Sequence, residues 1–302
     1  MNPLDFMKTL NSTAWALAPV TLLFLAGTVN GQLVDLGAAG NYAVLETGNG
    51  NVSLAAAPPH GFINGNVGAA GGNLSDSGVG ISGNAYLGSG ATSSGLSGNV
   101  SGTIYTSSDL SAAIAAAAAA ANAAAALSSS GGGLGYSAGS SINASGSTLN
   151  LTPGVYNLLN FTLGNNEIVN LAGGGSYVFN ISGTMSLNSA RILAAVGLSA
   201  SHILFNVESS QAVGFSGGLN NECELDGVLL AENAQVHLTP GYVNGEIISG
   251  QSINIASGGS VSGNSLAPVP EPGQTGMIGA LFTLGLLGVG SVARLRFGNR
   301  KA

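Results

Sequence analysis

Between positions 150 and 262 the chain alternates short apolar runs with polar punctuation, at 150–157, 165–171, 176–181, 185–187, 202–207, 226–231, 234–238, 242–248, 252–256 and 260–262. Alternation with a period of two is the mark of a strand that turns one face to a core. Gly or Asn pairs separate the runs, and short strands so evenly spaced predict a sandwich, a barrel or a solenoid. Three features select the solenoid. Gly-flanked units recur in similar form, as in Val243-Asn244-Gly245-Glu246-Ile247-Ile248 and Ser252-Ile253-Asn254-Ile255-Ala256-Ser257-Gly258. Asn recurs near strand ends, where its amide can bond the next coil and tolerate a tight bend. No series of Asn-Gly hairpins separates long amphipathic strands, as a meander would require. Stacked coils share one continuous core, so each coil needs only a few large residues.

One segment departs from this rhythm. Ser107-Ser108-Asp109 offers an N-cap, the run from Leu110 to Leu127 is almost pure alanine, and Ser128-Ser129-Ser130-Gly131 closes it. Alanine has the best helix propensity, so a helix over about 108–127 is expected. Its smooth surface suits close packing along a flat sheet.

Composition agrees with a packed β-fold. The 302 residues include 49 Gly and only 6% charged positions, yet mean hydropathy is +0.39, too high for a disordered chain. Glycine has no three-residue period, which excludes collagen. Between positions 32 and 266 the only cation is Arg191, against eleven Asp and Glu. A domain carrying about −10 has nothing with which to neutralise phosphates, so nucleic acid is excluded as a partner.

The two ends are distinct from the body. Residues 1–31 read as a signal peptide: Lys8, an apolar run from Ala14 to Gly27, then Val29 and Gly31 at the −3 and −1 positions before Gln32. At the other end stand Pro270-Glu271-Pro272, an uncharged stretch at 275–293, and Arg294, Arg296, Arg300 and Lys301. The stretch is long enough to span a bilayer as a transmembrane helix, and the basic cluster would stay cytoplasmic. Residues 267–302 resemble a PEP-CTERM sorting signal. The resemblance implies Pro270, Glu271, Pro272, Arg294 and Arg296 as the sorting motif, an exosortase-type enzyme as partner, and export to the cell envelope or an exopolysaccharide matrix. An inner-membrane anchor before sorting is part of the same expectation.

The body, 32–266, resembles the ice-binding-protein-like family. Leu36-Gly37-Ala38-Ala39-Gly40-Asn41-Tyr42-Ala43-Val44-Leu45 is similar to that family's opening motif. In the family's order there follow the segment from Gly65 to Gly68, a helix, and Leu151-Thr152-Pro153-Gly154-Val155-Tyr156. Then come Tyr177-Val178-Phe179-Asn180-Ile181-Ser182-Gly183, Ile203-Leu204-Phe205-Asn206-Val207 and Asp226-Gly227-Val228-Leu229-Leu230-Ala231. The resemblance implies an all-β fold: an irregular right-handed β-helix with one long Ala-rich helix alongside.

Little in the sequence points to catalysis. Glu222, Glu224 and Asp226 alternate and so share a strand face, which suits a solvated acidic surface better than a glycosidase pair or a calcium site. His60, His202 and His237 are scattered without metal-ligand spacing, and Cys223 is a single cysteine expected to be a small buried hydrophobe. No catalytic residue, cofactor or metal is assigned, and the chain is not expected to be an enzyme. The leading expectation is a structural or adhesive protein of the cell surface or matrix. Ice binding is the alternative, through rows such as Thr148, Asn150 and Thr152, or Ser252 and Asn254. A carbohydrate-active enzyme stands third.

Overall fold

Each strand pairing in the structure, a computed structural model that describes residues 33–55, 61–130, 138–218 and 222–263, is parallel and joins one coil to the next. Three ladders of strands run the length of the stack. The first joins Gly154–Gly164, Tyr177–Ile181, Ile203–Val207, Val228–Ala231, Ile247–Ser249, Val44–Glu46, Val67–Ala69, Ala85–Gly88 and Ile104–Ser108. The second joins Ser140–Ser145, the far half of Gly154–Gly164, Met185–Asn188, Val213–Ser216, Val236–Thr239, Ile253–Ala256, Val52–Ala55, Asn73–Ser77 and Thr92–Ser94. The third is a separate sheet of eight shorter strands, from Thr148–Leu151 to Gly80–Ile81. The parallel β-solenoid expected from the sequence is therefore present.

The coils do not stack in chain order. Val44–Glu46 lies between Ile247–Ser249 on one edge and Val67–Ala69 on the other. The chain thus begins in mid-stack and builds outward to Ile104–Ser108. It then passes back along the side through helix α1 (Ser111–Ala125) and builds from the opposite end until 247–262 meets the first coil. Strand ends also differ from the sequence reading. The run 150–157 breaks between Leu151 and Gly154, 226–231 breaks at Gly227, and 242–248 breaks after Asn244. At each break the backbone turns a corner of the coil, and glycines with positive φ stand at Gly154, Gly227 and Gly245.

Inside, each row keeps one position per coil. Tyr156, Phe179, Phe205, Leu229, Ile247, Val44, Val67 and Ala85 follow one another in register. The ring centroids of Phe179 and Phe205 stack 4.6 Å apart, and those of Tyr156 and Phe179 5.0 Å apart. The row tapers from aromatic to alanine along the stack, and all eight residues are buried.

Helix α1 lies on the outer face of the first ladder. It starts three residues later than the sequence reading and ends two earlier; Asp109 rather than a serine accepts the first free amide, from Ser111 N at 3.0 Å. Ala113, Ala117, Ala120 and Ala124 form its buried seam and pack on Val178, Leu204, Leu230, Ile248 and Leu45. The C-terminal half is clamped by an asparagine ladder: Asn206 donates to Ala121 O at 3.3 Å, Asn180 to Ala124 O at 2.7 Å and Asn157 to Leu127 O at 3.0 Å. Three helical residues rise about 4.5 Å, close to the roughly 4.8 Å between strands, so one carbonyl meets one coil.

The expected leader at 1–31, His60, the expected sorting motif at Pro270, Glu271, Pro272, Arg294 and Arg296, and the expected membrane span at 275–293 lie outside the described residues. Among the described residues no helix is long and apolar enough to cross a membrane.

Candidate functional site

With the first ladder covered by α1 from Val178 to Leu45, the second presents the broader open face. Its central outward positions align in one row across nine coils: Asn143, Thr162, Ser186, Gly214, His237, Asn254, Ser53, Ser75 and Ser94. No member is an acid, a lysine or an arginine, and all are partly or fully exposed. Inward residues alternate with them, so Phe215, Leu238, Ile255 and Leu54 anchor the same strands in the core. Flanking rows are equally small: Asn188, Ser216 and Thr239 on neighbouring coils, then Ala256, Ala55 and Ser77. The result is an even surface of hydroxyls, amides and methyl groups, with one imidazole at His237, repeating at the coil spacing, about 4.8 Å.

The residues singled out in the sequence are not all on this face. Ser252 and Asn254 belong to it; Ser252 Oγ accepts from Asn51 N at 3.1 Å across coils. Thr148 and Asn150 lie on the third ladder, where Asn150 is bonded by Asn170 at 3.0 Å, and Thr152 sits beyond that strand at a corner. The two rows are therefore on different sides of the coil. The third ladder is also less even, since Arg191, Glu224, Tyr242 and Phe62 all project from it. The missed members of the flat row, from Asn143 to Ser94, share no motif in sequence. Only register aligns them.

The acidic trio is not the solvated face that its alternation suggested. Asp226 is buried and spent on structure, accepting from Ala194 N at 2.7 Å and Asn244 Nδ2 at 3.0 Å. Glu224 points outward beside it; burial, with Asp226 next, raises its pKa, and Arg191 opposes the shift. Glu222 precedes the strand. Among the described residues no group of three or more His, Cys, Asp or Glu could hold a metal ion. Cys223 is buried against Ser216 O and Leu187 O, and its burial pushes the thiol up. His237 stands in the flat row, and His202 ends a short 3-10 turn.

A family model for the ice-binding-like adhesive domain matches residues 24–268, most of the chain. The chain belongs to that family. Solved structures of similar fold include an ice-binding protein from an Arctic yeast, LeIBP, at 25% identity and a TM-score of 0.53, covering 80% of this chain and 98% of that one. An ice-binding protein of the Antarctic ascomycete Antarctomyces psychrotrophicus is 21% identical, with a TM-score of 0.53 over 76% of this chain and 97% of that one. A third, from an Antarctic Flavobacteriaceae bacterium, is 22% identical at the same TM-score and is covered over 47% of its length. No curated protein matches the sequence.

Proposed function

We propose that this protein is an exported, surface-adhesive solenoid that docks through the second ladder on an extended, ordered, hydrated surface, with ice the first such surface to test. The observation that carries the reading is the nine-position row, in which eight positions are Ser, Thr, Asn or Gly and the ninth is His237. A flat, rigid array needs no ordering on contact, and each hydroxyl or amide can order or replace a surface water. Absence of charge on the row removes the strong hydration that would hold bulk water in place. The membership in an adhesive-domain family and the ice-binding relatives support the same reading. The coils are taken to wind right-handed, the sense favoured by parallel crossover connections. The domain is read as non-enzymatic.

The test is thermal hysteresis and ice-crystal shape for the purified protein and for variants of two adjacent row members, Ser53→Tyr and Asn254→Tyr. Each variant puts a bulky ring on the flat face and is expected to reduce the freezing gap and crystal faceting several-fold. Stability should change by no more than about 0.5 kcal/mol, as for other surface changes. Asn170→Tyr, on the third ladder, should leave activity intact. If the unaltered protein gives round crystals and no gap, ice is not the surface, and adsorption to insoluble polysaccharide becomes the readout for the same variants.

Export and sorting rest on the terminal segments. We read 1–31 as the leader and 267–302 as a tail recognised by an exosortase-type enzyme at Pro270, Glu271 and Pro272. Intact-mass measurement of the protein recovered from the cell surface should find a C-terminus near that motif. A mature chain still ending in Ala302 would refute processing.

A further inference from the structure

We propose that the free end of the solenoid at Ile104–Ser108, together with the cleft beside Tyr42, is a subsite for a neutral glycan, separate from the flat face. The outer row of the first ladder runs Leu45, Gly68, Tyr86 and Tyr105 in register. Helix α1 covers only part of it. Ala124 meets the coil of Asn180 and Ala121 the coil of Asn206, so at three residues per coil Ser111 comes level with Leu45. Leu45 is buried against the helix alanines, whereas Tyr105 is 44% and Ile104 38% exposed.

The uncovered coils carry aromatic rings. The Tyr42 ring lies over Gly68, where an added Cβ would come within 3.1 Å of its carbons. Its centroid is 5.5 Å from that of Tyr86 in an edge contact, and Tyr86 stacks on Tyr105 at 5.0 Å and 14°. Asn84 Nδ2 reaches the Tyr86 hydroxyl at 3.3 Å and steadies that ring. Because Tyr105 lies on the last coil of the first ladder, this stack ends there. Beside Tyr42 opens a cleft of about 230 Å³ whose walls include Asn64, Asn66, Ser82 and the backbone of Gly65 and Gly83. The amides are held in place: Asn66 donates to Asn41 O at 2.9 Å and accepts from Asn84 N at 2.9 Å, and Asn64 accepts from the Ser82 hydroxyl at 2.9 Å.

This chemistry fits one class of ligand. The negative face of an aromatic ring attracts the C–H face of a pyranose, and amides and hydroxyls match its hydroxyl groups. Neither a cation nor a carboxylate lines the cleft, so a neutral sugar is favoured over a uronate, which would need a cation. Tyr86 is covered by its neighbours, so the outer face of Tyr105, at the end of the stack, is the one left to receive a sugar ring.

The experiment is calorimetric titration of the full chain with cellohexaose, laminarihexaose and chitohexaose, and with an oligogalacturonate as the anionic comparison. Saturable binding of at least one neutral hexasaccharide is expected, with none for the uronate. Tyr105→Ala should weaken binding about fivefold to tenfold, the scale of one stacked ring. Tyr105→Leu keeps an apolar contact with Tyr86 but no π face, and should weaken binding as much; Tyr105→Phe should retain it. Ser53→Tyr, on the flat face, should bind glycan normally, which keeps this test independent of ice or surface docking. The proposal is overturned by no binding to any neutral hexasaccharide, or by Tyr105→Leu binding like the parent chain. It is also overturned if the Tyr105 variants change only self-association in sedimentation, since the exposed edge would then serve a second copy of this chain.

Discussion

Gly245→Ala is expected to lower the unfolding free energy by about 3 kcal/mol or more, the combined scale of backbone strain and overpacking. Gly245 has φ +150°, and a Cβ built there would lie 2.0 Å from the carbonyl oxygen of Gly227 on the neighbouring coil. Backbone cannot yield at that point, because Gly227 N donates to Asn244 O at 3.0 Å and Gly245 N to Ser262 O at 3.0 Å. The corner is therefore fixed by coils on both sides. Gly80→Ala is the matched control: it lies in a strand, has nothing within 4 Å of an added Cβ and needs no positive φ. Its change should stay within about 0.5 kcal/mol. Urea denaturation of both variants decides the matter, and equal midpoints would show that corner stacking does not limit stability.

Glu246→Gln is expected to flatten the dependence of stability on pH. The Glu246 carboxyl is almost wholly buried beside Gly40, its Oε2 has no hydrogen-bond partner, and burial raises its pKa to about 9. An acid whose pKa is raised on folding gives its full stabilisation below the unfolded value, near 4.5, and loses it as pH climbs towards 9. Within that window the unfolded chain releases the proton while the folded chain retains it. The loss is about 1.4 kcal/mol per pH unit for a fully separated pair of values. Between pH 6 and 8 the unaltered protein should thus lose about 2 to 3 kcal/mol through this group alone. Burial also raises the pKa of Glu46, Asp76, Glu224 and Glu232, so the variant keeps a shallower slope of the same sign. The slope is the quantity to compare, because a buried amide brings its own unpaired donors. An unchanged slope in Glu246→Gln would mean that Glu246 is ionised in the folded protein.

Much of this architecture is written locally. Met185–Asn188 and Ile253–Ala256 stood out by alternation, whereas Tyr177–Ile181 and Ile203–Val207, buried along their whole length, stood out as short apolar runs. The helix was equally plain, since a run of alanines has few competing conformations. Arg191–Ala194 and Val213–Ser216 were not marked. Arg191 opens the first with a charge, and Gly214 leaves the second without an outward side chain, so neither shows a clear apolar run. The asparagines at 157, 180 and 206 looked like strand-end amides. All three prove to hold carbonyls along the C-terminal half of the helix, a role that depends on where the helix returns.

The sequence by itself determined that the chain forms short strands around a continuous core and that one smooth helix lies against them. These follow from residue type and period, which act within a few positions. Only the tertiary structure decided that the first coil stacks on the last, that Thr148 and Asn150 lie on a different side from Ser252 and Asn254, and that nine dispersed residues form one row. Those are matters of register between strands as much as 200 positions apart, as with Ser53 and Asn254. Parallel pairing joins backbone to backbone whatever the side chains. The partner of each strand is therefore set by how the corners and core rows of whole coils fit, and no short stretch of sequence carries that information.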